Sequence, residues 1–156
     1  MYPYFTEEHA LFRETIKRFC RDEIARYAKD WEEAHAYPRE LFKRAAGLGL
    51  FGIRVAMEWG GAEMDWWASA AAYDALRHTD FPSLNIGLMV QGDLTIPLID
   101  KLGRADQKRE FLGPAVVGDR IAALGISEPE CGSDVAAMRT SAREVGDDLV
   151  ISGQKL

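Results

Sequence analysis

The apolar residues of this 156-residue chain change their spacing along its length. From Thr6 to about Gly118 they recur at helical intervals, and beyond Thr140 they alternate as they do in strands. The first predicted helix carries an apolar stripe of the kind that faces a core: Phe12, Ile16, Phe19, Cys20, Ile24, Tyr27 and Trp31. We therefore predict a mainly α chain, with an all-α domain over residues 1–118 and a β-domain that begins over residues 119–156.

Capping and turn residues divide the helical part. Thr6 and Asp65 are suited to cap helices, and Pro38 is suited to open one. The run from Leu84 to Leu102 is apolar on most of its circumference, which predicts a central helix bent near its internal glycines and Pro97. After Thr140 the pattern predicts a β-hairpin that turns at Gly146-Asp147-Asp148.

The composition excludes several classes of partner. A net charge of −6 and a pI near 5.1 argue against nucleic acid, because phosphate binding needs clustered Lys and Arg. No apolar run is long enough to span a bilayer. Cys20 and Cys131 lie far apart and have no metal-ligand spacing, so we expect two reduced thiols, no metal site and a cytoplasmic location.

The most distinctive loop runs from Leu124 to Asp134. It follows a β-type run, Arg120 to Ile126, and is expected to turn at Pro129 and Gly132. The hydroxyls of Ser127 and Ser133 and the nearby main-chain N–H groups suit a phosphate or a flat polar ring. The Asp134 carboxylate is placed to cap a short helical turn. These residues alone fit either an ordinary corner or a ligand site.

The same loop resembles a known signature. Gly125-Ile126-Ser127-Glu128, followed after three intervening residues by Gly132-Ser133-Asp134, is similar to the first signature of the flavin-dependent acyl-CoA dehydrogenases. Cys131 departs from the pattern, since the family usually has Gly, Ala, Ser or Asn there. Two further segments resemble the family in part: Glu58-Trp59-Gly60-Gly61 and Gly146 to Lys155.

The resemblance implies a fold and a set of binding residues. The fold is an orthogonal N-terminal helical bundle of the acyl-CoA dehydrogenase type, followed by the first strands of a β-barrel domain that is truncated here. The cofactor is FAD, and the residues expected to bind it are Leu124, Ile126, Ser127, Gly132 and Ser133. Substrate would contact Ser133 and an acyl-cavity wall formed by Gln91, Thr95 and Ile99. In the family's pattern Glu128 and Asp134 fix the loop and neither abstracts a proton.

The implied activity is α,β-dehydrogenation of acyl-CoA thioesters, with electron-transfer flavoprotein as the acceptor and a homo-oligomeric assembly. Most members take their glutamate base from a C-terminal domain that this sequence lacks, so we expect the chain to be a fragment that is inactive alone. Two alternatives stay open at this stage. One is an acyl-CoA oxidase or a nitroalkane-oxidase-like relative, and the other is a non-catalytic helical module for oligomerisation or acyl-CoA binding.

Overall fold

The computed structural model describes residues 4–156. These residues form two compact units, of which the first extends to Ala123 and the second comprises Leu124–Leu156. The first unit contains eight α-helical segments within its described residues: α1 Glu7–Phe19, α2 Ala28–Glu33, α3 Glu40–Gly47, α4 Trp66–Leu76, α5 Pro82–Met89, α6 Ile96–Leu102, α7 Ala105–Gln107 and α8 Gly113–Val116. The second contains β1 Ser141–Val145 and β2 Asp148–Ser152. The prediction of a mainly α chain with a short β region is confirmed.

Helix α1 begins where its cap was predicted. The Thr6 hydroxyl accepts a hydrogen bond from the backbone N–H of His9 at 3.3 Å, and the Thr6 N–H donates to the His9 ring at 3.2 Å. A π-helical turn, Cys20–Ile24, and a 3₁₀ turn, Ala25–Tyr27, join α1 to α2, so the predicted long helix is nearly continuous. Most of its apolar stripe packs into the core.

Helix α4 is capped by Asp65, as predicted. The Asp65 carboxylate accepts hydrogen bonds from the N–H groups of Trp67 and Ala68 at 2.9 and 3.0 Å. Its oxygen also lies 2.9 Å from the His9 ring, which connects the starts of α1 and α4. The core around these helices is built from large apolar side chains that are almost fully buried: Ile16, Ile24, Leu50, Phe51, Leu76, Leu84, Leu88, Ile96 and Leu112. Helix α3 begins two residues after Pro38, at Glu40.

The apolar run from Leu84 to Leu102 forms α5 and α6, joined by the π-helical turn Val90–Thr95. Leu84, Leu88 and Ile96 are fully buried. The prediction of a central helix is confirmed for this buried face only, because the opposite residues Ile86, Met89, Leu94, Leu98 and Leu102 are exposed. Apolar composition alone does not specify how many sides of a helix its neighbours cover. The predicted bend coincides with the π-turn, a common cause of kinks.

The linker before α4 doubles back on itself at Gly60-Gly61. Gly60 has φ +86°, a conformation that favours glycine, and a Cβ on Gly61 would lie 2.0 Å from the carbonyl oxygen of Val55. The close approach lets Met64 N–H donate to the Ile53 carbonyl at 2.7 Å. The two glycines therefore shape the backbone and leave room for no side chain at position 61.

The hairpin in the second unit forms where it was predicted. Strands β1 and β2 are antiparallel, with Val145 opposite Asp148 and Ser141 opposite Ser152. The connecting residues are Gly146, with φ +63°, and Asp147. Both strands are exposed along their whole length. Within residues 4–156, no helix is both long and apolar enough to cross a membrane.

Candidate functional site

The loop that carries the signature is built on a tight turn from Glu128 to Cys131. Glu128 N–H donates to the Cys131 carbonyl at 2.8 Å, and Cys131 N–H donates back to the Glu128 carbonyl at 3.2 Å. Pro129 stands at the first corner of the turn, where its fixed φ is favourable. The Cys131 side chain is buried and its thiol is free, as is that of Cys20. The predicted turn at Pro129 is confirmed.

The buried Glu128 carboxylate anchors the loop through hydrogen bonds to residues that follow it in the chain. Its side chain is 2% exposed, and its carboxylate accepts hydrogen bonds from Arg139 N–H at 2.6 Å and from Thr140 N–H at 3.0 Å. Lys155 Nζ adds a third contact at 2.9 Å. The neighbouring Thr140 side chain, the Arg139 N–H and the Lys155 ammonium lower the pKa of Glu128 to about 2, because all three favour the ionised carboxylate. The prediction that Glu128 fixes the loop is confirmed.

The end of the chain runs beside this loop. Lys155 Nζ also donates to the Ile126 carbonyl at 3.1 Å, and Leu156 N–H donates to the Ser127 carbonyl at 3.0 Å. In the sequence, Lys155 is notable only as the last residue of the segment Gly146 to Lys155, which resembles the family in part. The structure brings the two segments together, a juxtaposition that residue types alone do not reveal.

The stretch from Leu124 to Ser127 leaves its hydrogen-bond donors free. Within residues 4–156, none of its four backbone N–H groups donates to a protein acceptor, and the Ser127 hydroxyl has no protein partner. Gly125, Ile126 and Ser127 are exposed, and Leu124 is half-buried. Buried backbone N–H groups are nearly always paired within the protein. The unpaired N–H groups of residues 124–127 lie on an accessible stretch, so they are available to a ligand or to water.

The other end of the loop is open on one side. A Cβ on Gly132 would meet no atom within 4 Å. Ser133 is exposed, and within the described part of the chain its hydroxyl makes no hydrogen bond. The 3₁₀ turn Val135–Ala137 follows, but the Asp134 side chain makes no capping bond to it, so the predicted capping role of Asp134 is wrong. The Asp134 carbonyl accepts from Ala137 N–H at 3.1 Å instead.

The predicted strand Arg120 to Ile126 does not form. In the part of the chain that the structure describes, the segment has no regular secondary structure and no strand pairs with it. Alternating or apolar composition indicates strand tendency only, and a strand needs a partner to become one. The consequence for the loop is that the backbone N–H groups of residues 124–127 stay unpaired.

The residues predicted to line an acyl cavity lie in the first unit. Gln91 is 0% exposed, and its amide donates to the carbonyls of Ala115 and Arg120 and accepts from Ala122 N–H at 2.7 Å. Thr95 is buried and donates to backbone carbonyls of the preceding turn. Ile99 is half-buried against the core. Their assignment to a cavity wall stays a prediction.

Comparison with known proteins identifies the fold's family. The family model for the acyl-CoA dehydrogenase N-terminal domain matches residues 6–119. The chain belongs to the acyl-CoA dehydrogenase family. The mitochondrial long-chain specific acyl-CoA dehydrogenase of Rattus norvegicus is 31% identical to this chain over 152 residues. That alignment covers 97% of this chain and 35% of the rat enzyme.

Solved structures of the family agree with this assignment. An acyl-CoA dehydrogenase from Geobacillus kaustophilus superposes with a TM-score of 0.88 at 31% identity, over 98% of this chain and 40% of the other. A glutaryl-CoA dehydrogenase from Mycobacterium smegmatis, solved in complex with FADH2, gives 0.89 at 28% identity, over 97% of this chain and 39% of the other. This family member thus spans about two fifths of the length of these relatives.

Proposed function

We propose that this chain supplies the helical domain and one side of the flavin site of an FAD-dependent acyl-CoA dehydrogenase. The observation that carries the proposal is the row of free N–H groups from Leu124 to Ser127, on a loop that Glu128 and Lys155 hold in place. Support also comes from the M. smegmatis relative, whose structure contains FADH2.

The loop has the chemistry to hold FAD. The edge of a flavin ring presents nitrogen and oxygen acceptors, which match the N–H groups of Leu124 and Ile126 and the hydroxyl of Ser127. The free space beside Gly132 lets a ligand approach the backbone, and the Ser133 hydroxyl is suited to a phosphate oxygen of FAD or of acyl-CoA. When bound, the flavin supplies the redox step, accepting hydride from the substrate.

Neither Glu128 nor Asp134 suits the role of the base. Both oxygens of Glu128 already accept hydrogen bonds, and its pKa of about 2 makes it a weak proton acceptor. Asp134 is exposed, and its side chain makes no hydrogen bond to the 3₁₀ turn that follows it. We therefore infer that the base belongs to neither residue and that this chain alone does not dehydrogenate acyl-CoA.

The proposed substrate, electron acceptor and homo-oligomeric state follow from the family, and the proposed location rests on the cysteines. The substrate is an acyl-CoA thioester, with Gln91, Thr95 and Ile99 near its acyl chain. Electron-transfer flavoprotein takes the electrons, and the protein assembles as a homo-oligomer in the cytoplasm. The two free thiols suit that reducing compartment.

Titration of the chain with FAD, followed by flavin fluorescence, tests the cofactor assignment. We expect saturable binding that Ser127→Ala weakens about fivefold to tenfold, because one hydrogen bond is lost. Ser141→Ala, at an exposed strand position, is the matched control and leaves the affinity unchanged. Absence of binding, or equal affinity in all three proteins, contradicts the assignment.

Addition of acyl-CoA thioesters of several chain lengths to the FAD-loaded chain tests the assignment of the base. We expect the flavin absorbance near 450 nm to persist, about as in a sample without thioester, because no group of the chain removes the α-proton. Bleaching that depends on the thioester contradicts this part of the proposal and leaves the cofactor assignment intact.

A further inference from the structure

A cavity in the first unit has none of the residues assigned to FAD or acyl-CoA in its lining. Its volume is about 210 Å³. Three parts of the fold line it, namely the linker before α4, helix α4 and the helical run from the π-turn to α6: Ile53, Arg54, Val55, Ser69, Tyr73, Gly92, Pro97, Asp100 and Lys101. A water molecule takes about 30 Å³ in the liquid, so the cavity has room for a small organic molecule.

The polar groups of the cavity are mostly hydrogen-bond donors. Ser69 is 4% exposed and accepts a hydrogen bond from Arg54 Nε at 3.2 Å, which leaves its own O–H without an acceptor among residues 4–156. The Tyr73 hydroxyl lies beside Gly92, where a Cβ would be 3.1 Å from it, and it too has no protein partner in the described part of the chain. Arg54 is held rigidly, since it pairs with Asp93 and stacks 3.4 Å from the Trp66 ring centroid.

The charges around the cavity leave a single positive excess. The Arg54–Asp93 pair and the Asp100–Lys108 pair, at 2.9 Å, each cancel. Lys101 lines the cavity and makes no ion pair with any residue between 4 and 156. The remaining walls, Ile53, Val55 and Pro97, are apolar. Unsatisfied donors and one net positive charge favour a singly charged acceptor with a short aliphatic part over a phosphate dianion.

We propose that this cavity binds a short aliphatic monocarboxylate, whose carboxylate accepts hydrogen bonds from Tyr73 and Ser69 and is balanced by Lys101. The aliphatic part contacts Ile53, Val55 and Pro97. The cavity shares no residue with the flavin loop, so failure of either assignment leaves the other unchanged.

Titration of the 156-residue chain with sodium butyrate tests the site, with backbone amide NMR signals of Tyr73 and Gly92 as the readout. We expect saturable shifts with a dissociation constant on the order of 1 mM, a usual strength for so small a ligand. Tyr73→Phe should weaken binding about fivefold to tenfold through loss of one hydrogen bond. Lys101→Met should weaken it and reduce its dependence on salt.

Matched controls separate the site from general effects. Tyr37→Phe removes a phenolic hydroxyl that packs near Gly87, outside the cavity, and should bind butyrate like the parent chain. Circular dichroism melting checks that each variant is folded. The proposal is overturned if no saturation occurs, if Tyr73→Phe and Tyr37→Phe bind equally, or if neutral butyramide or inorganic phosphate binds as tightly as butyrate.

Discussion

Lys155 Nζ lies 2.9 Å from the Glu128 carboxylate, although the two residues are 27 positions apart in the sequence. The Glu128 side chain is 2% exposed, and that of Lys155 is 30% exposed. A buried carboxylate requires hydrogen-bond partners. Glu128 receives them from the backbone of Arg139 and Thr140, just before β1, and from Lys155 near the end of the chain. The ion pair therefore connects the signature loop to the segment that follows the hairpin, and it leaves the N–H groups of residues 124–127 free.

Glu128→Gln should loosen the second unit. The amide keeps one acceptor oxygen but loses the charge that three contacts favour, so Arg139 and Thr140 lose part of their protection. We expect their backbone amides to exchange with solvent several-fold faster. Glu130→Gln is the control, since Glu130 is exposed and its carboxylate lies 3.8 Å from the Arg139 guanidinium. Equal exchange rates in the two variants would argue against the anchoring role.

Acid should disrupt the same contacts in a defined range. The pKa of Glu128 is lowered in the folded state, so the stabilisation from its ionised form is present above the ordinary value of 4.5 and is lost as the pH falls toward about 2. The amide signals of Arg139 and Thr140 should titrate with a midpoint near 2. A midpoint near 4.5 would show that the carboxylate is not held in this way. Glu128→Gln should remove the transition.

Gly61→Ala should destabilise the first unit. The new Cβ would lie 2.0 Å from the Val55 carbonyl oxygen, a backbone atom that moves only with the linker. We expect a loss of about 1–3 kcal/mol in the free energy of unfolding, measured by urea denaturation. Gly47→Ala, in α3 with no atom within 4 Å of the new Cβ, should be neutral or slightly stabilising. The steric account fails if both substitutions have the same effect.

Gln91→Leu should lower the free energy of unfolding by more than an ordinary core substitution does. It leaves the Ala115 and Arg120 carbonyls and the Ala122 N–H without their side-chain partner. The Ala115 carbonyl keeps its hydrogen bond from Gly118 N–H, so two groups are left unsatisfied. Each such group costs about 1–3 kcal/mol, and we expect a total loss of roughly 3 kcal/mol in the free energy of unfolding. Gln154→Leu changes an exposed glutamine and should stay within about 0.5 kcal/mol. If Gln91→Leu leaves the free energy of unfolding unchanged, water replaces these hydrogen bonds with little loss of stability.

The sequence predicts local structure well where the signal is local. The caps at Thr6 and Asp65, the hairpin at Gly146 and the turn at Pro129 depend on nearby residues, and all of them are present. The run at Arg120 depends on a distant partner strand, and its prediction was wrong.

The same distinction applies to the site. The signature residues were found from the sequence, and the anchoring role of Glu128 was expected from the family. The contact of Glu128 with Lys155 was not predicted, because it depends on how the hairpin returns to the loop. The Arg54–Asp93 pair also joins distant segments and has no sequence signal of its own. Long-range contacts of this kind appear only once the fold is known.

Amide NMR of the chain during FAD addition tests whether this loop binds the flavin, because it locates the ligand on the backbone. We expect the shifts to concentrate at residues 124–127, Gly132 and Ser133, where donors are free and the surface is open. We also expect little change at the exposed hairpin residues Ala142 and Ile151. Shifts that leave the loop untouched, or that spread evenly over the chain, would contradict the assignment of this loop to the flavin.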